Sequence, residues 1–188
     1  MDYFFQTPSG LLNKQLADTL DLASQAGQSY FNARGPYSDE LRSLFDGLIR
    51  DLRQVADALA ERINELGGYA ITTVRYVAGQ SGLREYPLNA VDARDQLEAL
   101  LSNYLRYELD TLQNMRAARE IGDSSMSLLF QVILSSIENN LWFLETYLEG
   151  INDGLSAIEL PAWTSTLFNQ SRIDWNESAG AFRSVSLR

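Results

Sequence analysis

From Leu41 the apolar residues Leu41, Phe45, Leu48, Leu52, Val55, Leu59, Ile63 and Leu66 recur every three or four positions without a break. That spacing puts them on one side of a single long α-helix and excludes a strand, whose apolar side chains would alternate. Ser38 ahead of the stripe reads as an N-cap, Asp39 and Glu40 suit the positive end of the helix dipole, and Gly67-Gly68 reads as the stop. Three weaker stripes accompany it. Leu12, Leu16, Leu20, Ala23 and Ala26 predict a helix over 10–33, after Pro8-Ser9-Gly10 and before the Gly35-Pro36 turn. Leu97, Leu101, Leu105, Leu109 and Leu112 predict a third long helix over 91–120. Gly122-Asp123 separates it from a fourth, over 124–149, on Met126, Leu129, Ile133, Ile137, Leu141, Leu144 and Leu148, with Gly150 as its stop.

Residues 69–90, with Gly79, Gly82 and Pro87, form a long connection in which Val74, Tyr76 and Val77 suggest a short helix. A connection of that length can join two parallel helices, so the expected fold is an all-α four-helix bundle with one long crossover between its second and third helices. The expected organisation is one bundle over 1–150 and a tail over 151–188. The tail keeps Leu160, Trp163, Leu167, Phe168, Trp175 and Phe182 among Ser, Asn and Gly, too aromatic for a free linker and suited to docking on this subunit or a neighbour. Its two Asn-x-Ser patterns, at Asn169 and Asn176, read as coincidence.

Composition narrows the chemistry. The chain has no cysteine and no histidine, which removes thiolate and imidazole ligands and leaves oxygen donors for any metal. Without an apparent basic leader or a long apolar run, a cytoplasmic protein without a membrane span is expected. A net charge of -10 repels polyanions unless cations gather in one patch. Lys14 is the sole lysine, and the arginines are scattered among carboxylates. Nucleic-acid binding is therefore disfavoured.

Several segments, in order, resemble one known family. Tyr30-Phe31-Asn32-Ala33-Arg34-Gly35-Pro36 resembles the end of the first helix in Dps proteins, the ferritin-like proteins that protect DNA during starvation. There the family has His-Trp-Asn-Val, a basic residue and Gly-Pro. Leu44-Phe45-Asp46 and Asp57-Ala58-Leu59-Ala60-Glu61-Arg62-Ile63 resemble two further family segments, and Glu138 to Leu148 is similar to the family's last bundle helix. The resemblance spans roughly 10–150. It implies a ferritin-like bundle assembling into a hollow homo-oligomeric shell of twelve subunits, with iron as the metal handled. It also implies an oxidation site between two subunits, where two histidines and an Asp from one meet an Asp and a Glu from the other.

Here the acidic half of that site survives. Asp57 and Glu61 lie four residues apart on one helix face, and Asp46 lies near that face three turns earlier, so the candidate metal ligands are Asp57, Glu61 and Asp46. They suit iron or another hard divalent cation. The family's two histidine positions align with Tyr30 and Arg42. Arg42 brings a permanent cation that can neutralise the same acids a metal would.

A plainer reading needs no metal, since Arg42, Asp46, Arg50, Arg53, Asp57 and Glu61 can stabilise one helix face as spaced opposite charges. Tyr30 suits packing better than phenolate ligation, and Trp142 suits the core better than radical interception. Asp123 aligns with an acidic residue of the family's iron-entry pore, while the next pore acid aligns with Leu128. The terminal segments lack the lysines by which DNA-binding members hold DNA. Ferroxidase-type activity thus stays open against a catalytically silent shell subunit, including one that co-assembles with a related subunit. A di-iron enzyme with Glu-x-x-His pairs in the bundle centre is excluded by the missing histidines.

Overall fold

The long stripe beginning at Leu41 becomes a buried helix face, open at its Leu66 end. The structure, a computed structural model, describes residues 7–153. It contains five helices, α1 (Pro8–Asn32), α2 (Ser38–Glu65), α3 (Val74–Gln80), α4 (Ala93–Glu120) and α5 (Ser124–Asn152). Of the α2 stripe, all but Leu66 are buried in the core; Leu66 caps the helix end and is partly open. The four long helices form the bundle, with α1 packed on α2 and α4 on α5, and α3 in the crossover resting on α1. No described helix is long and apolar enough to cross a membrane.

Helix ends follow local chemistry. Thr7 caps α1 by accepting from the Gly10 N–H at 3.1 Å, with Pro8 in the first turn where a missing N–H costs nothing. Helix α2 begins at Ser38 itself, so Ser38 is not its cap; Tyr37 holds that place, and its side chain makes no capping bond. Asp123 caps α5. Gly150 does not end α5 but lies buried inside it, because the helix runs on to Asn152. The aromatic segment expected as a tail lies, from 154 onward, outside the described residues.

The inward face of α4 differs from the leucine stripe expected there. Leu105 and Leu109 are exposed and Leu101 and Leu112 half-buried, while Leu97, Leu100, Tyr104, Tyr107, Thr111 and Met115 are buried. The reason is polar pairing across the core. Thr19 and Tyr107 share a hydroxyl–hydroxyl bond, and Gln15 donates to Thr111 at 2.7 Å. Hydroxyl-bearing residues can therefore occupy positions that apolar counting assigns to leucine. Trp142 is likewise not a core residue: it is 43% exposed, its indole edge-on to Phe143 with ring centres 4.9 Å apart. The buried line of α5 runs through Ile137, Asn140, Leu141, Leu144 and Tyr147, and one residue beyond Leu141 turns away from it.

Polar contacts also set the direction of the helices. Gln15, Thr19 and Gln25 on α1 meet Thr111, Tyr107 and Asn103 on α4 in descending order, so α1 and α4 are antiparallel. With α1 and α2 joined by a short turn, α2 and α4 run the same way. The crossover must then travel back along the bundle, about 40 Å for a helix of α2's length. It does so pinned to buried side chains. Asn13 donates to Tyr69 O and accepts from Ile71 N–H, at 3.0 and 2.9 Å. Asp18 accepts from Gly82 N–H at 2.7 Å, Gln25 donates to the Arg84 carbonyl, and Asn103 accepts from the Arg84 backbone N–H. Lys14 pairs with Asp18 beneath Gly82, and burial nonetheless pushes the Asp18 carboxyl above its ordinary range.

Replacing Asn13 by alanine strands the Tyr69 carbonyl and the Ile71 N–H. It is expected to destabilise the subunit by about 2–3 kcal/mol in urea unfolding at fixed subunit concentration. Gly27→Ala should act oppositely, because an added methyl meets nothing within 4 Å and the helix gains propensity. A gain of about 0.5–1 kcal/mol in the same assay is expected.

Candidate metal-binding face

Helix α2 carries almost every residue singled out for metal chemistry, on the side opposite its buried stripe. Arg42 sits in the first turns, exposed, and its guanidinium donates to the Ala33 carbonyl at 3.2 Å, closing the corner between α1 and α2. Asp46 pairs with Arg50 at 3.1 Å, both about half exposed. Asp57 and Glu61 stand exposed, and among the described residues no ion pair engages either of them or Arg53. Tyr30, near the end of α1, is half-buried and edge-on to the highly exposed Phe31.

Within one chain these residues do not converge. At the helical rise of about 1.5 Å per residue, Asp46 and Asp57 lie roughly 16 Å apart along α2, and Arg42 and Asp57 roughly 22 Å. Among the described residues no group of three His, Cys, Asp or Glu side chains is placed to hold a metal ion. Asp57 and Glu61, one turn apart, are the pair that α2 does bring together. Two carboxylates alone offer a hard, anionic half-site with room for two to four oxygen ligands, fewer than the six or more that such cations take.

Asp123 occupies a different place from an open pore acid. Its carboxylate accepts from Met126 N–H at 2.8 Å as the α5 cap, and Arg62 Nη2 donates to both its oxygens at 3.0 and 2.9 Å. Arg62 is mostly buried and also reaches Glu65, so the charge of Asp123 is cancelled where it stands. Beside it lies a cavity of ≈ 390 Å³ lined by Arg119, Gly122, Ser124, Ser127, Leu128 and Gln131, with no carboxylate in its wall. Arg119 donates to the Ser127 hydroxyl at 3.2 Å there.

Sequence reasoning missed Arg62 as the partner of Asp123, since nothing in the spacing links the end of α2 to the start of α5. It also missed a group of acids on the outer side of α4 and α5. The Glu108 carboxyl is raised by its partial burial and by the nearby charges of Glu138 and Glu145. Carboxylates at an i, i+7 spacing on α5 were the available signal.

Comparison with known proteins agrees with this architecture. A ferritin-like domain family matches residues 10–153. The DNA protection during starvation protein of Agrobacterium fabrum is 29% identical over 143 residues, covering 76% of this chain and 88% of that protein. The crystal structure of a Dps protein from Bacillus brevis superposes with a TM-score of 0.72 at 23% identity, over 79% of this chain and 99% of that one. DpsC from Streptomyces coelicolor gives 0.71 at 26% identity, over 74% and 82%. With a bundle of this topology, a crossover carrying a short helix, and a family match that spans nearly all the described residues, the chain belongs to the Dps family of ferritin-like proteins.

Proposed function

We propose that this chain is the subunit of a hollow, twelve-membered homo-oligomeric shell in the cytoplasm that sequesters iron and protects against oxidative stress, with the family's rapid iron-oxidation step degraded. The observation that carries this reading is the state of the α2 face. Of the residues aligned with the family's oxidation site, Tyr30 and Arg42 replace imidazoles, Asp46 is held by Arg50, and only Asp57 and Glu61 stand unpaired.

Ferrous iron is the substrate and cargo. Asp57 and Glu61 can receive it as hard oxygen ligands, and a chain of net charge -10 raises the local cation concentration around an assembly of its copies. Fast oxidation at a paired site needs a full ligand set on both sides of the subunit boundary. Here one side offers a guanidinium, which repels a second cation. Asp123, neutralised by Arg62, and the arginine-lined cavity beside it speak against an acidic entry at that end. The relatives' name refers to DNA protection; for this chain the net negative charge argues against holding DNA directly.

One observation favours a second reading, a non-catalytic structural or interaction subunit co-assembling with an iron-oxidising relative. Arg42, exposed and bonded only to the Ala33 carbonyl, stands where the family has an imidazole and brings there the positive charge that a metal would bring.

Anaerobic Fe²⁺ mixed with the purified assembly, then with oxygen or peroxide, tests the proposal. Oxidation is expected to run at the protein-free rate while iron co-elutes with the shell on gel filtration. Protein-dependent oxidation that disappears in both Asp57→Ala and Glu61→Ala would instead establish a working ferroxidase built on these two carboxylates. Iron that fails to co-elute would favour the structural subunit.

A further inference from the structure

The corner where α4 turns into α5 encloses a cavity of ≈ 390 Å³ whose wall holds a cation and no acid. Arg119 comes from the last turn of α4, while Ser124, Ser127 and Gln131 come from one side of α5 at spacings of three and four. Gly122 and Leu128 complete the wall. In a chain of net charge -10, a concave surface of that sign runs against the average.

The polar groups of this wall are left over as donors. Arg119 makes no ion pair among the described residues. Its Nε–H donates to the Ser127 hydroxyl at 3.2 Å and one Nη meets the Met115 sulfur at 3.7 Å, which leaves the remaining N–H groups of the guanidinium open. Ser127 is only 8% exposed. Because its oxygen accepts from Arg119, its own proton must turn elsewhere, and among the described residues no acceptor meets it. A buried donor in that state costs free energy unless the cavity supplies the acceptor. The side chains of Ser124 and Gln131, at the rim, make no hydrogen bond of their own among the described residues either.

The acid that precedes the wall is withdrawn from it. Arg62 holds both oxygens of Asp123, Met126 N–H donates to one of them, and the Asp123 carbonyl takes the Ser127 N–H. The start of α5 is thus occupied by its own cap, and the donors that face the cavity are side chains.

A guanidinium, two hydroxyls and an amide converging from two helices suit an anion that accepts several hydrogen bonds at once. A metal ion finds no carboxylate there. A nucleic-acid strand brings a row of negative charges that one cation does not offset in so acidic a chain. The volume leaves room for a single oxyanion and several waters of about 30 Å³ each. We infer that the α4–α5 corner is a binding site for a phosphate-class oxyanion, held by Arg119 and Ser127 with Ser124 and Gln131 at its rim. One chain supplies every donor, and the inference stands apart from the metal chemistry of α2.

The test dialyses the iron-free full chain, in phosphate-free buffer, to equilibrium against radiolabelled inorganic phosphate. Saturable binding of one phosphate per chain at millimolar or lower concentration is expected, displaced by sulfate. Arg119→Gln is expected to weaken it roughly tenfold or more, and Ser127→Ala roughly threefold. Leu128→Asp leaves every donor in place and adds only a carboxylate to the wall; it should match Arg119→Gln, while Leu128→Asn should bind within about twofold of the wild type. Circular dichroism melts check each variant, and the two Leu128 variants decide the matter should Arg119→Gln fold poorly. Phosphate that fails to bind saturably, or that binds Leu128→Asp as well as Leu128→Asn, would overturn the site. So would duplex DNA retained by the wild-type chain and released by Arg119→Gln in the absence of phosphate binding, which would make the corner a nucleic-acid contact.

Discussion

Everything in this subunit depends on satisfying the backbone of a long segment that lies against a helix without being one. Because α2 and α4 run in the same direction, the chain must return the length of the bundle between them, and its peptide groups cannot all pair with each other. Asn13, Asp18, Gln25 and Asn103 supply the missing donors and acceptors from within the bundle. Each is almost fully buried, and a buried polar side chain without a partner would cost more than it gives. Helix α1 is thus two-faced: leucines toward α2 and a line of amides and a carboxylate toward the crossover and α4. Remove that line and the leucines still favour a bundle, but not one with parallel second and third long helices.

The same economy of charge governs α2. Its inner side is apolar except for the buried Asp51, so most of its ionisable groups crowd onto the outer side, where opposite signs alternate at helical spacing. Such a face can bind a cation, bind itself, or stay solvated, depending on which charges are fixed in place. Arg62 and Asp123 are fixed: their contact ties the last turn of α2 to the first turn of α5 and cancels the charge of that acid. Asp57 and Glu61 are not fixed, and they keep their chemistry available to whatever the neighbouring subunit presents.

Helix α2 was legible in the residues because one apolar period, an acidic first turn and a double-glycine stop all agree. Helix α4 was legible in its extent and not in its orientation. Leu101, Leu105, Leu109 and Leu112 make as regular a pattern as the true inner face, which includes Tyr104, Tyr107 and Thr111. Only the α1 partners of the Tyr107 and Thr111 hydroxyls, Thr19 and Gln15, decide between the two, and partners in space leave no mark in the local sequence. Trp142 illustrates the same limit on α5, where apolar residues occur on more than one side. The candidate site divides likewise. The absence of imidazole could be read directly, while the separation of Asp46 from Asp57 and Glu61 along α2 means that one chain does not bring the candidate ligands together.

The chain's solitary lysine gains a peculiar status from its position. Lys14 spends its ammonium on Asp18 directly under Gly82, where a side chain at Gly82 would lie 3.1 Å from its nitrogen. With no second lysine, acylating reagents have one side-chain amine to find, and its accessibility depends on whether the crossover is seated above it. The protein therefore carries a built-in chemical reporter of crossover docking, read from the yield at one residue without any label being introduced.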